Sequence, residues 1–395
     1  MLALRKKKFY GMIIGSVVLG MAIALGLGAL LFWNQDTVIL SKNKYETMSQ
    51  YIEKYEKAER LYQLIQKNYY LPVEGEDLME GIYRGLFQGL KDPYSEYLTA
   101  EEYEELMIST LGEFEGIGVT ITADENGNIL VVSTIEGTPA NLAGLKTGDI
   151  ITMVDGSPYK GSELSKAAQA MRGEKGTTVT ITYWRNGVME EVTLTRATII
   201  DRSVYSKMLD NNIGYLRITQ FEKNTAKDFE HEFQHLEQQG ARGIVIDIRN
   251  NGGGILDSGI DIADQLLGQG TITYLEDQGG KRTYYNSQAS MVATPYVLLI
   301  NEGTASTSEI LAAAVRDNGG GKLIGTKSFG KGVVQSVEKL QDGAAMKLTV
   351  LQYYSPKGDV IHGNGVHPDV QVLDLEETPE DEVLEKAIQI LNSKS

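Results

Sequence analysis

The stretch Tyr296-Val297-Leu298-Leu299-Ile300, followed by Asn301-Glu302-Gly303-Thr304-Ala305-Ser306-Thr307-Ser308-Glu309, reads as an apolar strand passing through a short polar turn into a helix. A run of five apolar residues is what a strand covered on both faces of its sheet carries. Ser308–Arg316 then continues at helical spacing. A serine in such a turn lies where the N–H groups of the helix's first turn can hold an oxyanion. The same letters also have a purely structural meaning: Ser306-x-x-Glu309 fits a capping box and Ser308 fits an N-cap. Spacing alone favours capping.

Outward from this stretch the pattern repeats between about residues 204 and 370. Ile213–Ile218 is a strand and Asn224–Gln239 a helix. Gly243–Ile248 is an apolar strand ending in Asp247-Ile248-Arg249-Asn250-Asn251-Gly252-Gly253-Gly254, and Leu256–Leu267 is a helix. Strands alternating with helices predict an α/β core with a mostly parallel sheet covered on both faces. Ligands of such sheets sit beyond the carboxyl ends of the strands, which directs attention to the loops 249–254 and 301–307.

A serine nucleophile needs a base. Only four histidines exist, none in a recognisable setting. A lysine serves instead if burial and the lack of a carboxylate partner leave it uncharged. Gly325-Thr326-Lys327-Ser328-Phe329-Gly330-Lys331-Gly332-Val333-Val334-Gln335 holds Lys331 between two glycines and ahead of an apolar pair, with Lys327 as its competitor.

One motif points to other chemistry. His231-Glu232-Phe233-Gln234-His235 is the written form of a zinc-protease helix. At about 100° per residue, however, Phe229, Phe233 and Leu236 share the apolar face. Both histidines fall opposite it among Glu230, Gln234 and Gln238, and no third ligand follows at a suitable spacing. A solvated helix face is the expectation, with no metal site.

From Gly112 the texture changes to short alternating strands. Gly116-Ile117-Gly118-Val119 opens a strand continuing through Thr122, Asn126-Gly127 signals a hairpin, and Ile129–Thr134 follows. Thr138-Pro139-Ala140-Asn141-Leu142-Ala143-Gly144-Leu145 is a short helix, and Gly148-Asp149-Ile150 leads a further strand. Leu164–Met171 is a second helix before strands Thr177–Trp184 and Met189–Arg196. This order, with the glycine–hydrophobic loop and the P-A-x-x-A-G-L-x-x-G-D-x-I run, resembles a PDZ domain. The resemblance implies that Gly116, Ile117, Gly118 and Val119 hold a peptide's C-terminal carboxylate while the peptide adds to the sheet edge. Arg172, ending the second helix, either complements that carboxylate or favours the helix terminus.

T-A-S-x-S-E-I over Thr304–Ile310, then G-x-x-S-F-G-K-G-x-V-Q ending at Gln335, resembles the C-terminal processing peptidase family, with the PDZ domain inserted before the core. The likeness covers roughly residues 45–375. It implies a serine endopeptidase acting on proteins with apolar C-terminal tails, with Ser306 as nucleophile, Lys331 as general base and Gln335 orienting the lysine. No cofactor is expected. Four extended residues span about 13 Å, so for Gln335 to reach Lys331 the chain must bend at Gly330 or Gly332. The oxyanion hole is expected from the N–H of Thr307 with that of Gly253, Gly252 being the alternative; the family often carries proline where Gly252 stands. Glu309 and Asp317 are read as structural.

The flanking regions complete the organisation. Arg5-Lys6-Lys7-Lys8 precedes an uncharged apolar run from Phe9 to Trp33, long enough to span a bilayer of roughly 30 Å. The positive flank places residues 1–8 in the cytoplasm and the catalytic part outside; a cleaved signal peptide is the competing reading. The remainder holds 33 basic and 53 acidic residues, a net charge of -20, which argues against nucleic acid as a partner. With no cysteine, disulfides, thiol nucleophiles and thiolate zinc sites are excluded. Residues 41–110 are helical in pattern, a spacer or a dimerisation arm. Thr378–Leu391, with Val383, Ile388 and Leu391 apolar, either builds a homodimer or packs on its own core. The expected fold is a multidomain α+β chain: cytoplasmic tail and transmembrane anchor 1–33, helical region 34–110, PDZ domain 111–200, serine–lysine peptidase core 201–372 and C-terminal helix 373–395. The competing class is a membrane-tethered PDZ adaptor with an inactive protease-like core.

Overall fold

The computed structural model describes residues 2–33, 40–200, 202–288, 292–373 and 380–393. The chain divides into two units, Met1–Ile82 and Tyr83–Ser395. In the first, α1 (Leu2–Trp33) contains a 24-residue segment, Lys6–Ala29, long and apolar enough by composition to cross a membrane. There follow α2 (Lys42–Asn68), capped by Ser41, and α3 (Gly75–Gln88), whose last turns belong to the second unit.

The second unit continues with β1 (Glu96–Leu98) and α4 (Ala100–Leu111). Helix α4 starts on a Thr99–Glu102 capping box and stops at Gly112, whose left-handed backbone (φ 67°) ends it. Strand β2 (Glu113–Gly116) then leads through the Ile117-Gly118 loop into β3 (Val119–Ala123), β4 (Ile129–Thr134), α5 (Pro139–Leu142), β5 (Ile150–Val154) and β6 (Ser157–Pro158). Helix α6 (Leu164–Met171) and strands β7 (Thr178–Arg185), β8 (Val188–Thr195) and β9 (Ala197–Ile200) complete the region. The sheet runs β3-β4-β5-β7-β8, with β6 on β5, around Ile129, Val131, Ile151, Ile181 and Met171. Gly116 does not belong to the strand that follows it. It pairs with Ala197 in a separate β2–β9 ribbon, and the two residues between form a loop.

The remaining elements are β10 (Val204–Leu209), β11 (Ile213–Ile218), α7 (Thr225–Gln238), β12 (Gly243–Asp247), α8 (Leu256–Leu266), β13 (Gly270–Asp277), β14 (Arg282–Ser287), β15 (Tyr296–Ile300), α9 (Thr307–Asn318), β16 (Lys322–Gly325), β17 (Val333–Lys339), β18 (Ala345–Tyr354), β19 (Val370–Gln371) and α10 (Glu382–Ser393). The main sheet runs β10-β11-β12-β15-β16-β19 and is parallel except at β10–β11. Alternation along each strand sorts its side chains onto two faces. Ile244, Ile246, Leu298 and Ile300 meet α7, α8 and α9, while Val245, Val297, Leu299 and Ile324 meet α10. Helix α10 buries Val383, Ala387 and Leu391 there, so within one chain it packs on its own core rather than presenting that face to a partner copy. Thr378 lies outside the described residues.

A second sheet, not anticipated, is antiparallel: β1-β18-β13-β14, with β17 also on β18. It brings β1, from the region read as purely helical, against β18, the partner of the strand that follows the lysine loop.

Candidate active site

Ser306 lies at the carboxyl end of β15 and caps α9 in an unusual backbone conformation, φ 57° and ψ -121°. A serine held there is strained by about 1–3 kcal/mol and needs its surroundings to impose the geometry. They do so densely. Ala305 N–H and the Ser308 hydroxyl both donate to Asn251 O, each at 3.0 Å. The Thr307 hydroxyl donates to Gly254 O at 2.9 Å. Asn250 N–H donates to Asn301 Oδ1 at 2.8 Å, and Asn301 Nδ2 returns a bond to Asn250 Oδ1 at 2.9 Å. The loops after β12 and β15 thus form one laced platform. Arg249 fixes its outer edge, bridging Asp247 and Asp381 at 2.7 Å each and tying α10 to the loop.

The capping box drawn from the sequence is present, but Glu309 does more than cap. Its buried carboxylate accepts from Ser306 N–H (2.9 Å) and Lys331 N–H (2.8 Å) on one oxygen. The other oxygen takes Gly330 N–H (2.7 Å) and the Ser328 hydroxyl (2.5 Å). A single side chain therefore positions the backbone of Ser306 and of Lys331. Tyr353, also fully buried, links the same two residues: its hydroxyl donates to Ser306 O at 3.0 Å and to Lys331 O. Burial, and then the charge of Glu309, push the phenol pKa well above its ordinary value, so it remains a donor. The Asp317 side chain is buried and serves its own loop, accepting from Arg316 at 2.8 Å and Lys357 N–H at 3.2 Å.

Ser306, Lys331 and Gln335 line one cavity of about 510 Å³ with Gly252, Gly254, Thr307, Lys347 and Tyr353. One apolar wall comes from Tyr103, Leu106 and Met107 of α4. Lys331 is half-buried, and its ammonium lies 4.9 Å from the Tyr94 ring centre. Burial lowers its pKa from the ordinary lysine value and the charge of Lys347 adds to this, while Asp92 and Glu309 oppose. Lys327, the competing lysine, is exposed and lies outside this cavity.

The backbone between Lys331 and Gln335 is flanked by two irregularities. Gly330 has φ 97°, and the β17–β18 register slips between Val334 and Gln335. Such a bulge re-aims the side chains that follow it. Gln335 Nε2 donates to the Thr349 hydroxyl at 3.1 Å.

At the oxyanion side the structure departs from the expected donor. The N–H of Gly253 is given to Asn251 Oδ1 at 2.9 Å. The N–H groups of Thr307 and Gly252 carry no hydrogen bond among the described residues. Gly253 stays close to the serine all the same: a Cβ there would stand 2.7 Å from Ser306 Cβ and 2.9 Å from Thr307 N.

In the domain before the core, Ile117, Gly118, Val119, Met171 and Arg172 surround a small cavity of about 70 Å³ between the edge strand β3 and α6. Gly118 has φ 75°, and a Cβ there would meet Thr138 at 2.4 Å. Gly116 does not line this cavity; Arg172 does, and its guanidinium lies 5.9 Å from the Phe114 ring centre. On α7, Phe229, Phe233 and Leu236 are buried, while the His231 and His235 rings lie exposed and stacked 6.4 Å apart. Glu232, between them, turns inward to Arg202 and Ser206.

Comparison with known proteins agrees with this architecture. Residues 212–372 match the profile of peptidase family S41, residues 116–195 that of the PDZ domain, and residues 25–102 the profile described as the activating protease CtpB N-terminal domain. The carboxy-terminal processing protease CtpA of Bacillus subtilis (strain 168) is 37% identical over 321 residues, 80% of this chain and 69% of that protein. The carboxyl-terminal-processing protease of Synechocystis sp. is 34% identical over 375 residues, covering 92% and 87%. A solved structure titled photosystem II D1 C-terminal processing protease aligns at 30% identity and a TM-score of 0.49, over 85% of this chain and 90% of its own. With its PDZ domain ahead of the peptidase core, the chain belongs to the S41 family of serine peptidases.

Proposed function

We propose that this peptidase is anchored by α1 and cleaves extracytoplasmic proteins with apolar C-terminal tails, using Ser306 and Lys331 through an acyl-enzyme. The observation that carries the reading is the shared cavity. A strained serine and a half-buried lysine with no ion-pair partner among the described residues face one space, their backbones tied to the same carboxylate.

The uncharged Lys331 amine takes the proton of Ser306 as its oxygen adds to the scissile carbonyl. The N–H of Thr307 and one from the 252–253 turn stabilise the resulting oxyanion. Gly252 supplies that second bond as the loop stands, and Gly253 supplies it if Asn251 lets go. The intermediate collapses, the leaving amine takes the proton from Lys331, and the acyl group remains on Ser306. Lys331 next deprotonates a water, which hydrolyses the ester. Gln335, on the strand beside the lysine, keeps its amine directed at the serine.

The Ile117–Val119 loop holds the tail's carboxylate and β3 pairs with its backbone, Arg172 adding charge complementarity. The apolar wall from α4 accepts a hydrophobic side chain near the cleaved bond. The basic cluster before the apolar helix places residues 1–8 on the cytoplasmic side.

The test uses the full chain in mild detergent and an unstructured protein ending in an apolar tail. The parent cuts with or without chelator, and Ser306→Ala and Lys331→Ala do not. Cleavage by Ser306→Ala that chelator abolishes would return the reaction to a metal site. Tail binding with no cleavage by any version would favour the tethered adaptor.

A further inference from the structure

Two lysines face the catalytic cavity, and their surroundings differ. We propose that Lys347 is a positioning residue for the chemistry, presenting a fixed second ammonium that keeps Lys331 uncharged and ready to accept the serine proton. This rests on the reading of Lys331 as general base.

Lys347 lies on the central strand β18, where it faces Glu96 of β1 on one side and Val337 of β17 on the other. Glu96 and Lys347 are direct cross-strand partners, a placement that favours opposite charges, and their charged groups meet at 2.9 Å. Lys347 therefore has a carboxylate to hold its proton and its place. Both lysines line the same cavity, so each ammonium raises the free energy of the other. Lys331, with no ion-pair partner among the described residues, is the one whose proton this repulsion loosens. Pairs of titratable groups whose environments push them apart mark acid and base roles.

The other groups around Lys331 are accounted for. Asp92 favours the charged form, but it is already bonded to the Ser95 hydroxyl at 2.5 Å and Tyr94 N–H at 3.0 Å. Glu309 pulls the same way, yet it is saturated by four donors. The ring of Tyr94 favours a cation by its face. Tyr353 is a neutral phenol that bonds the Lys331 carbonyl rather than its amine. His362 accepts Gly332 N–H at 3.4 Å and stands 6.3 Å from Tyr94. Among the described residues, Lys347 is thus the one cation from a neighbouring strand in this cavity that opposes the carboxylates.

The experiment is the pH profile of kcat/KM for cleavage of an apolar-tailed protein, measured on the full chain. The acid limb reports protonation of the base. In Lys347→Met the limb moves to higher pH by roughly one unit, the shift that two like charges about 12 Å apart produce at an effective dielectric near 20. The rate at pH 7 falls about tenfold with it. Lys347→Arg keeps the limb near that of the parent. Glu96→Gln removes the partly cancelling charge and moves the limb the other way, to lower pH. That opposite shift carries the test if Lys347→Met does not fold. An unmoved limb in both Lys347→Met and Glu96→Gln, with Lys331→Ala dead, overturns the inference and leaves the base assignment standing. A rise in KM alone assigns Lys347 to substrate binding and also overturns it. Activity in Lys331→Ala overturns the base assignment itself, and the inference with it.

Discussion

Replacing Glu309 by glutamine tests whether one buried carboxylate really sets the geometry of nucleophile and base together. The change preserves volume but turns one acceptor oxygen into an NH2 donor. Two of the four bonds then face a donor: either Ser306 N–H and Lys331 N–H, or Gly330 N–H and the Ser328 hydroxyl. Hydrogen bonds to a charged group contribute about 1.5–3 kcal/mol each, so losing two removes about 3–6 kcal/mol before relaxation. The site is fully buried, so water cannot take over those donors cheaply. Global stability by urea unfolding should fall by about 3 kcal/mol. Because the strained Ser306 backbone relies on this bond, kcat should fall by a further two orders of magnitude under conditions where the variant is still folded. KM should change far less, since no tail-binding residue touches Glu309. If Glu309→Gln unfolds within 1 kcal/mol of the parent and cuts at a comparable rate, the carboxylate does not set the site and its bonds are incidental.

Three further outcomes follow from the same geometry. Since Lys331 must be uncharged to act and its burial lowers its pKa below the ordinary lysine value, kcat/KM should rise with pH through a limb lying below that value; a limb at the ordinary lysine value would contradict the burial. In Gly253→Ala the new methyl would press on Ser306 Cβ and the backbone at φ 100° would be strained, so kcat should drop at least tenfold with little change in tail binding by fluorescence anisotropy. Leu391→Ala, removing a buried side chain that packs on Gly243, should cost about 2–4 kcal/mol at any protein concentration; a cost that vanished on dilution would mean that α10 serves a dimer instead.

What could be read from the letters, and what could not, follows the range of the interactions. Strands such as Ile129–Thr134 and Tyr296–Ile300 declare themselves by alternation or apolar runs, and Phe229, Phe233 and Leu236 identify the buried side of α7 before any coordinates. Local surroundings, a strand-to-helix turn and a glycine-flanked lysine, point to Ser306 and Lys331, and the family resemblance separates Lys331 from Lys327. The second sheet was missed because β17 and β18 mix Gln335, Glu338, Lys347 and Gln352 among their apolar residues, blurring the period. Glu309 was legible only as a cap, since three of its four donors lie 19 to 22 residues further on. Tyr353 left no local signal for its bond to Ser306, 47 residues away. Within the glycine turn the letters do not separate Gly253 from Gly252, since the bond that commits the Gly253 N–H to Asn251 depends on the loop's fold.

The central claim, that Lys331 makes Ser306 a nucleophile, is met most directly by covalent labelling. The full chain would be treated with a fluorophosphonate, and its peptides mapped by mass spectrometry for the parent and for Lys331→Ala. The account predicts a single phosphonylated residue, Ser306, in the parent, and loss of that label in Lys331→Ala while the fold persists. Labelling of another serine, or full labelling of Ser306 without Lys331, would contradict it.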